Sequence, residues 1–332
     1  MSVAVLTDAW RSRGPLAWLL LPVGLLFFAI VAVRRRLYRA GLLKSTTLPV
    51  PVVVVGNITA GGAGKTPLTI WLARALQAAG RHPGVVSRGH GRDDDAVREV
   101  GAGATAAEVG DEPLLIHRRA GCPVVVGRDR VAAAVALLAA HPECDVIVAD
   151  DGLQHYRLAR DIELVVCDAR GVMNGWPLPA GPLREPVSRL READALVLNG
   201  CCSAVAHGVA VFRMDLEGAR FHRLDGRAQS CTAAELAGKR LHALAGIGDP
   251  ARFFAHLEEL GLSCETHAFP DHHRYAGADF PREGDAIVTT EKDAVKFPPD
   301  LALPVWVLPV AARLEPDLAQ FVVERIDGRP PA

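Results

Sequence analysis

The stretch that decides the fold is Gly56–Pro67, GNITAGGAGKTP, set between the β-branched run Val50–Val55 and the helically spaced segment Pro67–Ala79. Glycines in such a turn let backbone N–H groups converge on anionic oxygens. The lysine that follows reaches β- and γ-phosphates, and the next hydroxyl holds Mg²⁺. Gly61, Gly62, Ala63 and Gly64 supply the loop, Lys65 the charge and Thr66 the hydroxyl. The spacing is a variant, because the strict pattern requires glycine where Thr59 stands. The strand before and the helix after separate it from an ordinary glycine-rich turn.

A nucleotide loop needs a carboxylate at the end of a neighbouring strand. Cys144–Gly152, CDVIVADDG, ends an apolar run in Asp150 and Asp151, with Gln154 and His155 beyond them. Either carboxylate suits a metal or the acceptor, and two side by side repel unless a cation lies between them. Arg88, His90 and Arg92 in VVSRGHGR, Arg128 and Arg130 after Val126, and Asn199 occupy other strand ends. Ligands of open α/β sheets sit at the carboxyl ends of strands, so these groups either line one crevice or are solvated surface charges. Asp111, in VGDEP, has two readings: a helix N-cap with Pro113 in the first turn, or the carboxylate that takes the proton of an attacking hydroxyl.

Further apolar runs at Gly84–Ser87, Pro123–Val126, Val146–Ala149, Leu164–Cys167 and Ala195–Leu198 alternate with helical stretches such as Val131–Ala140. This predicts a mostly parallel sheet covered on both faces. Val209–Leu224 alternates in polarity about Glu217 and Gly218 and predicts a two-stranded hairpin serving as connector. A second unit follows, with strands at Leu241–Ala245, Ala286–Thr289 and Val305–Leu308 and a helix at Pro250–Leu260. The expected class is α/β: a P-loop NTPase-like mostly parallel sheet, a second smaller α/β lobe and an N-terminal membrane-associated helix. The expected divisions are 1–44, 45–208 for the kinase lobe, 209–227 for the linker and 228–332 for the second lobe, with Gly328–Ala332 an exposed tail.

The 332 residues, 50% hydrophobic, suffice for two lobes. Thirty-seven basic and 38 acidic side chains leave no field that would attract nucleic acid, and no obligatory protein partner is inferred. Seven cysteines without a CxxC pair point to a reducing compartment and away from a structural zinc. Pro15–Val33, PLAWLLLPVGLLFFAIVAV, carries no charge and is followed by Arg34, Arg35, Arg36, Arg39 and Lys44. As a straight helix it measures about 28 Å, against a hydrocarbon core of about 30 Å. Basic flanks on both sides and the interruptions at Pro22 and Gly24 leave open whether it spans or lies in the interface as a bent hairpin. The arginines favour placement of the rest at the cytoplasmic face of an anionic membrane.

GGAGKTP, SRGHGR, VGDEP, DDGLQH, LREP at Leu183–Pro186, AGIGDPARFF at Ala245–Phe254, FPDHH at Phe269–His273 and TTEKDAVKF at Thr289–Phe297 together resemble the tetraacyldisaccharide 4'-kinase family. The resemblance implies two α/β lobes joined by a two-stranded linker, with ATP between them. It implies transfer of the γ-phosphate to the 4'-hydroxyl of an acylated glucosamine disaccharide 1-phosphate at the cytoplasmic face of the inner membrane, whose surface and lipid are the partners. By the same resemblance Lys65 and Thr66 bind phosphate and Mg²⁺, Asp150 and Asp151 serve the metal and acceptor side, and Asp111 acts with His272. Arg88, Arg128, Gln154, His155 and Asn199 then face the acylated sugar phosphate. His90 stands where the family carries tyrosine, and Asp249 where it carries asparagine. A membrane-recruited P-loop switch is the competing reading. A guanine-specific switch needs N-K-x-D, whereas here Lys292 and Asp293 are adjacent. A nonenzymatic scaffold has no use for a phosphate loop combined with strand-end carboxylates.

Overall fold

A computed structural model describes residues 7–202, 208–226, 229–315 and 317–328. In chain order its strands are β1 (Val52–Gly56), β2 (Pro83–Ser87), β3 (Arg98–Glu99), β4 (Val124–Val126), β5 (Val146–Asp150), β6 (Ile162–Asp168), β7 (Ala195–Asn199) and β8 (Ala210–Glu217). They continue as β9 (Arg220–Arg223), β10 (Ser230–Thr232), β11 (Leu241–Ala245), β12 (Cys264–Ala268), β13 (Ala286–Thr290), β14 (Val305–Leu308) and β15 (Ala311–Glu315). The helices of ten residues or more are α1 (Pro15–Arg39), α2 (Lys65–Ala78), α3 (Asp111–Ala120), α4 (Arg130–Ala140), α5 (Pro250–Glu259) and α6 (Leu318–Asp327).

The valine run forms β1, buried at every position, as a strand covered on both faces must be. It is central in a nine-stranded sheet of order β15-β8-β7-β6-β1-β5-β2-β4-β3. The strands from β8 to β4 are parallel, and β15 and β3 close the edges antiparallel. Register places Val55 beside Asp150 and Gly56 beside Val165, so the glycine loop leaves β1 at the carboxyl ends of its neighbours. Leu68, Leu72 and Leu76 of α2, Leu114 and Ile116 of α3 and Val322 of α6 cover one face. Val131, Ala134 and Leu137 of α4 cover the other. A six-stranded sheet, order β10-β9-β14-β13-β11-β12, forms the smaller lobe.

The expected hairpin at Val209–Leu224 is corrected. β8 pairs with β7 and β15 in the larger sheet, whereas β9 pairs with β10 and β14 in the smaller one. Gly218 packs directly against the Pro309 carbonyl, so the outgoing and returning chains cross side by side. The two paired connecting strands are β8 and β15, and Leu318, Val322 and Ile326 of α6 return to the core of the larger lobe. Local alternation cannot reveal a partner that lies about a hundred residues downstream. Of the expected tail only Gly328 lies within the described residues, and the expected boundary at 227–228 lies outside them.

α1 is one continuous helix with Pro22 inside it, not a bent hairpin. Ala17 and Gly24 are its buried positions, and Gly24 meets Pro177 and the Leu178 carbonyl. Both ends are tied to the larger lobe. Before the helix, Trp10 Nε1 donates to Pro179 O (2.9 Å) and Arg13 Nε to Asn174 O (3.1 Å). At its other end Arg35 and Arg39 pair with Glu192. Trp18, Leu19, Val23, Leu25, Leu26, Ile30 and Val33 face outward.

Candidate active site

The phosphate loop takes its shape from Gly61 and Gly64, both at φ 97°, in the left-handed region that a Cβ disfavours. α2 opens directly on Lys65, with Gly64 as its N-cap, so the positive end of the helix faces the loop. Asn199 lies beneath: it is 1% exposed, its Nδ2 donates to Ala63 O (2.9 Å), and a Cβ at Gly64 would lie 2.5 Å from that nitrogen. The expectation that Asn199 faces the acceptor is therefore corrected, because a side chain roofed by the phosphate loop supports it from below.

Lys65 Nζ lies 3.2 Å from Asn57 Oδ1 and 3.6 Å from Asp151 Oδ1. Asp151 turns out of β5 at φ 47° and accepts from Arg184 at 3.0 and 3.1 Å. Burial alone would raise its pKa, but Lys65 and Arg184 outweigh burial and hold it at about 2. Asp150 points inward and accepts from Thr69 Oγ1 (3.2 Å) and Ser87 Oγ (3.1 Å). Burial first, then Glu112 and Asp151, push its pKa up. The two adjacent carboxylates thus have opposite characters.

Asp111 is not an N-cap: Gly110 caps α3, and Asp111 is the first helical residue, with Pro113 in the first turn. It is 4% exposed, and both its oxygens lie 3.0 Å from His272 Nδ1 of the smaller lobe. Its Oδ1 also accepts from Glu112 N (2.9 Å), and Lys296 Nζ stands 3.8 Å from Oδ2. Burial pushes Asp111 up and His272 down, yet their hydrogen bond reverses both, leaving Asp111 below and His272 above the ordinary values. His90 lies tilted against His272, with 4.7 Å between ring centroids and 39° between planes. Its own pKa is lowered by burial, His272 and Arg88.

The other residues singled out from sequence are more dispersed. Arg88 is exposed at the end of β2, and Arg128 is exposed and paired with Asp95 at 3.0 Å. Gln154 Nε2 bonds Asn57 O (3.1 Å) and Glu185 Oε1 (2.9 Å), bracing the base of the loop. His155 is pushed down to about 4 by burial and then by Arg130, so at neutral pH it carries no charge toward an anion.

Several residues escaped sequence reasoning. Arg170 Nη2 reaches Gly62 O at 3.0 Å while its guanidinium is held by Asp168, and Arg184 pairs with Asp151. Lys292 Nζ bridges Glu112 (2.9 Å) and Asp271 (3.0 Å) across the lobes. Arg184 stood in the quoted LREP stretch and Lys292 in TTEKDAVKF, but nothing local names their partners. Gly248 of the smaller lobe comes within 3.0 Å of Gly62 N when a Cβ is placed on it, so the AGIGDP turn closes over the phosphate loop.

Comparison with known proteins is consistent along the whole chain. The family model described as LpxK, tetraacyldisaccharide-1-P 4'-kinase, matches residues 16–327. The tetraacyldisaccharide 4'-kinase of Dechloromonas aromatica is 56% identical over 322 residues, covering 96% of this chain and 95% of that protein. That of Azoarcus sp. is 52% identical over 327 residues, with 97% and 96% covered. The crystal structure of LpxK from Aquifex aeolicus in complex with ATP superposes with a TM-score of 0.80 at 31% identity, covering 94% of this chain and 99% of that one.

Proposed function

The chain belongs to the tetraacyldisaccharide 4'-kinase family, and from that premise we propose how its residues carry the family's reaction. The protein is an ATP-dependent kinase that transfers the γ-phosphate to the 4'-hydroxyl of an acylated glucosamine disaccharide 1-phosphate in lipid A biosynthesis. The observation that carries the assignment of roles is the meeting of two groups in one cleft. Lys65 and Asp151 stand at the phosphate loop, and the Asp111–His272 pair is formed across the lobes.

The acceptor oxygen attacks the γ-phosphorus while the bond from that phosphorus to the oxygen bridging to the β-phosphate breaks, and ADP leaves. Lys65 and the loop N–H groups follow the charge on the transferring phosphate. The hydroxyl proton passes to Nε2 of His272. Asp111 is too enclosed to receive it, with both oxygens on Nδ1, so it fixes the tautomer and stabilises the imidazolium.

Thr66, Asp150 and Asp151 would hold Mg²⁺, because all offer oxygen, as a hard cation requires, and a cation would favour the ionised Asp150 that burial first, then Glu112 and Asp151, oppose. When bound there, Mg²⁺ would supply positive charge that offsets the charge of the transferring phosphate. Arg170 and Arg184 offset the charges of Asp168 and Asp151 on the phosphate side.

α1 lies in the membrane interface. A helix whose two ends are both tied to one lobe cannot place them on opposite sides of a bilayer, although its 25 residues and an 18-residue stretch of mean hydropathy 2.7 within it would allow a crossing by length and composition. Its outward apolar face enters the acyl region of the cytoplasmic leaflet of the inner membrane, and the acceptor keeps its acyl chains there during transfer. The test is to incubate the purified chain with γ-labelled ATP and detergent-solubilised acceptor and locate the new phosphate. Label on the 4'-oxygen is expected, and label only in free phosphate would overturn the reading.

A further inference from the structure

Away from the cleft, the register of the smaller sheet brings three ligand-type side chains to one point. His242 of β11 pairs in register with Glu265 of β12, and His267 follows two residues later on the same face. His242 Nδ1 and His267 Nε2 are 3.1 Å apart. Glu265 reaches both, with Oε2 at 3.6 Å from His242 Nδ1 and Oε1 at 3.7 Å from His267 Nε2. One ligand atom from each falls within 4.8 Å of the others. Nothing in the phosphoryl transfer uses them.

The geometry points to a binding site for a borderline divalent transition metal of the Zn²⁺ type, held by His242 Nδ1, His267 Nε2 and a Glu265 oxygen. Ligands on one tetrahedral zinc, with bonds of about 2.0–2.1 Å, stand about 3.4 Å apart; the two nitrogens are close to that at 3.1 Å, and each has its nearer Glu265 oxygen, Oε2 for His242 and Oε1 for His267, at 3.6 and 3.7 Å. The second ring nitrogen of His242 is already committed: Nε2 lies 2.8 Å from the Glu283 carbonyl, which can only accept. Its proton is therefore on Nε2 and its lone pair on Nδ1, the orientation that a backbone carbonyl imposes on metal-ligating histidines. The metal takes the place of the proton otherwise shared between the two nitrogens, and His267 then carries its proton on Nδ1. The site lies open to solvent, since His242 and Glu265 line a cleft of about 780 Å³ together with Arg282 and Glu283. Two imidazoles select Zn²⁺, Co²⁺, Ni²⁺ or Cu²⁺ over Mg²⁺, which prefers oxygen. None of the seven cysteines takes part, so their spacing, which pointed away from zinc, carried no signal for this site. Bound there, the ion fastens the edge strand β12 to β11 and to the 281–284 loop.

The experiment titrates chelator-stripped full-length protein in detergent with Co²⁺ and then Zn²⁺, with a non-hydrolysable ATP analogue and Mg²⁺ saturating the cleft. The expected result is one equivalent of Co²⁺ with the intense visible bands of a four- or five-coordinate ion, displaced by Zn²⁺. His267→Ala and His242→Gln each weaken it at least about ten-fold, while His272→Gln, in the catalytic pair, leaves it unchanged. Absence of uptake by the wild type at micromolar metal overturns the proposal, as does uptake indifferent to His267→Ala. Loss of binding in His272→Gln assigns the ion to the catalytic pair and overturns it too.

Discussion

His272 sits at φ 60°, a left-handed conformation uncommon for a residue with a Cβ, and this turn carries its ring across the cleft to Asp111. The pH consequences follow from the directions of the two shifts. His272 is raised, so its contribution to the closed form is complete below about 6.5 and is lost as pH climbs through the raised value. Asp111 is depressed, so its contribution is present above about 3.9 and is lost as pH falls through the lower value. The pair therefore holds the lobes best between those limits, whereas the proposed proton transfer needs His272 neutral. kcat measured from pH 5.5 to 9 should rise through an apparent pKa above 6.5, and in Asp111→Asn that limb should move below it; a flat profile would mean the proton goes elsewhere. General-base assistance is typically worth about 10²- to 10⁴-fold, so Asp111→Ala and His272→Ala should each cost within that range. The double variant should be scarcely worse than the poorer single one, because the two act as a unit, and multiplicative losses would mean independent roles. Lys65→Ala should lower kcat by at least about 10²-fold in a protein whose circular dichroism is unchanged, since it removes the charge that follows the phosphate. Near-normal turnover would remove Lys65 from the phosphate site. The place of Lys65 at the head of α2 was legible because its loop declares itself within a dozen residues. Arg170, Arg184 and the supporting place of Asn199 were not, because each acquires its role only when separate strand ends are brought together.

At the scale of elements, valine-rich parallel strands announce themselves, because burial on both faces demands unbroken apolar runs, as in β1 and β5. β8 and β15 carry a less certain signal. Each is half-buried and alternating, so the Glu217–Gly218 turn reads as a hairpin, although the true partner of β8 returns only at Ala311. α1 was equally undecided in the sequence: composition measures its length and hydropathy, whereas only contacts at Asn174, Pro179 and Glu192 show that both ends rest on the same lobe. That placement is testable by sidedness. In a Cys201→Ser background, cysteines introduced by Ser12→Cys and Ser45→Cys should react with an impermeant maleimide from the same side of inside-out vesicles. Labelling from opposite sides would establish a crossing helix. Leu19→Asp with Leu26→Asp, both on the exposed face, should release most of the protein from liposomes while leaving turnover on detergent-dispersed acceptor within a few-fold.

For the molecule as a whole, the two lobes are joined covalently by the adjacent crossings after β8 and before β15, and ion pairs bridge them besides. Arg274 bonds Asp93 (2.7 Å) and the Gly91 carbonyl (2.7 Å), Arg119 pairs with Glu291, and Lys292 lies between Glu112 and Asp271. Lys292 is central, because Glu112 follows Asp111 and Asp271 precedes His272, so one ammonium sets the spacing of the catalytic pair from both sides. Burial would lower its pKa, but Glu112 and Asp271 more than reverse this, and it stays charged. Its charge also holds the His272 pKa down. Lys292→Met should therefore lower kcat about ten-fold at pH 7 and move the ascending limb to higher pH, with ATP affinity within a few-fold because the phosphate loop is untouched. A purely structural role would lower the melting temperature without moving the limb. The damage arises largely from carboxylates left without their cation, and that makes a double variant decisive. Adding Glu112→Gln to Lys292→Met removes one of them, and the pair should recover part of the lost turnover and bring the limb back toward its original position. If the double variant is instead worse by the product of the two singles, Lys292 acts on the acceptor directly rather than by holding the lobes around it.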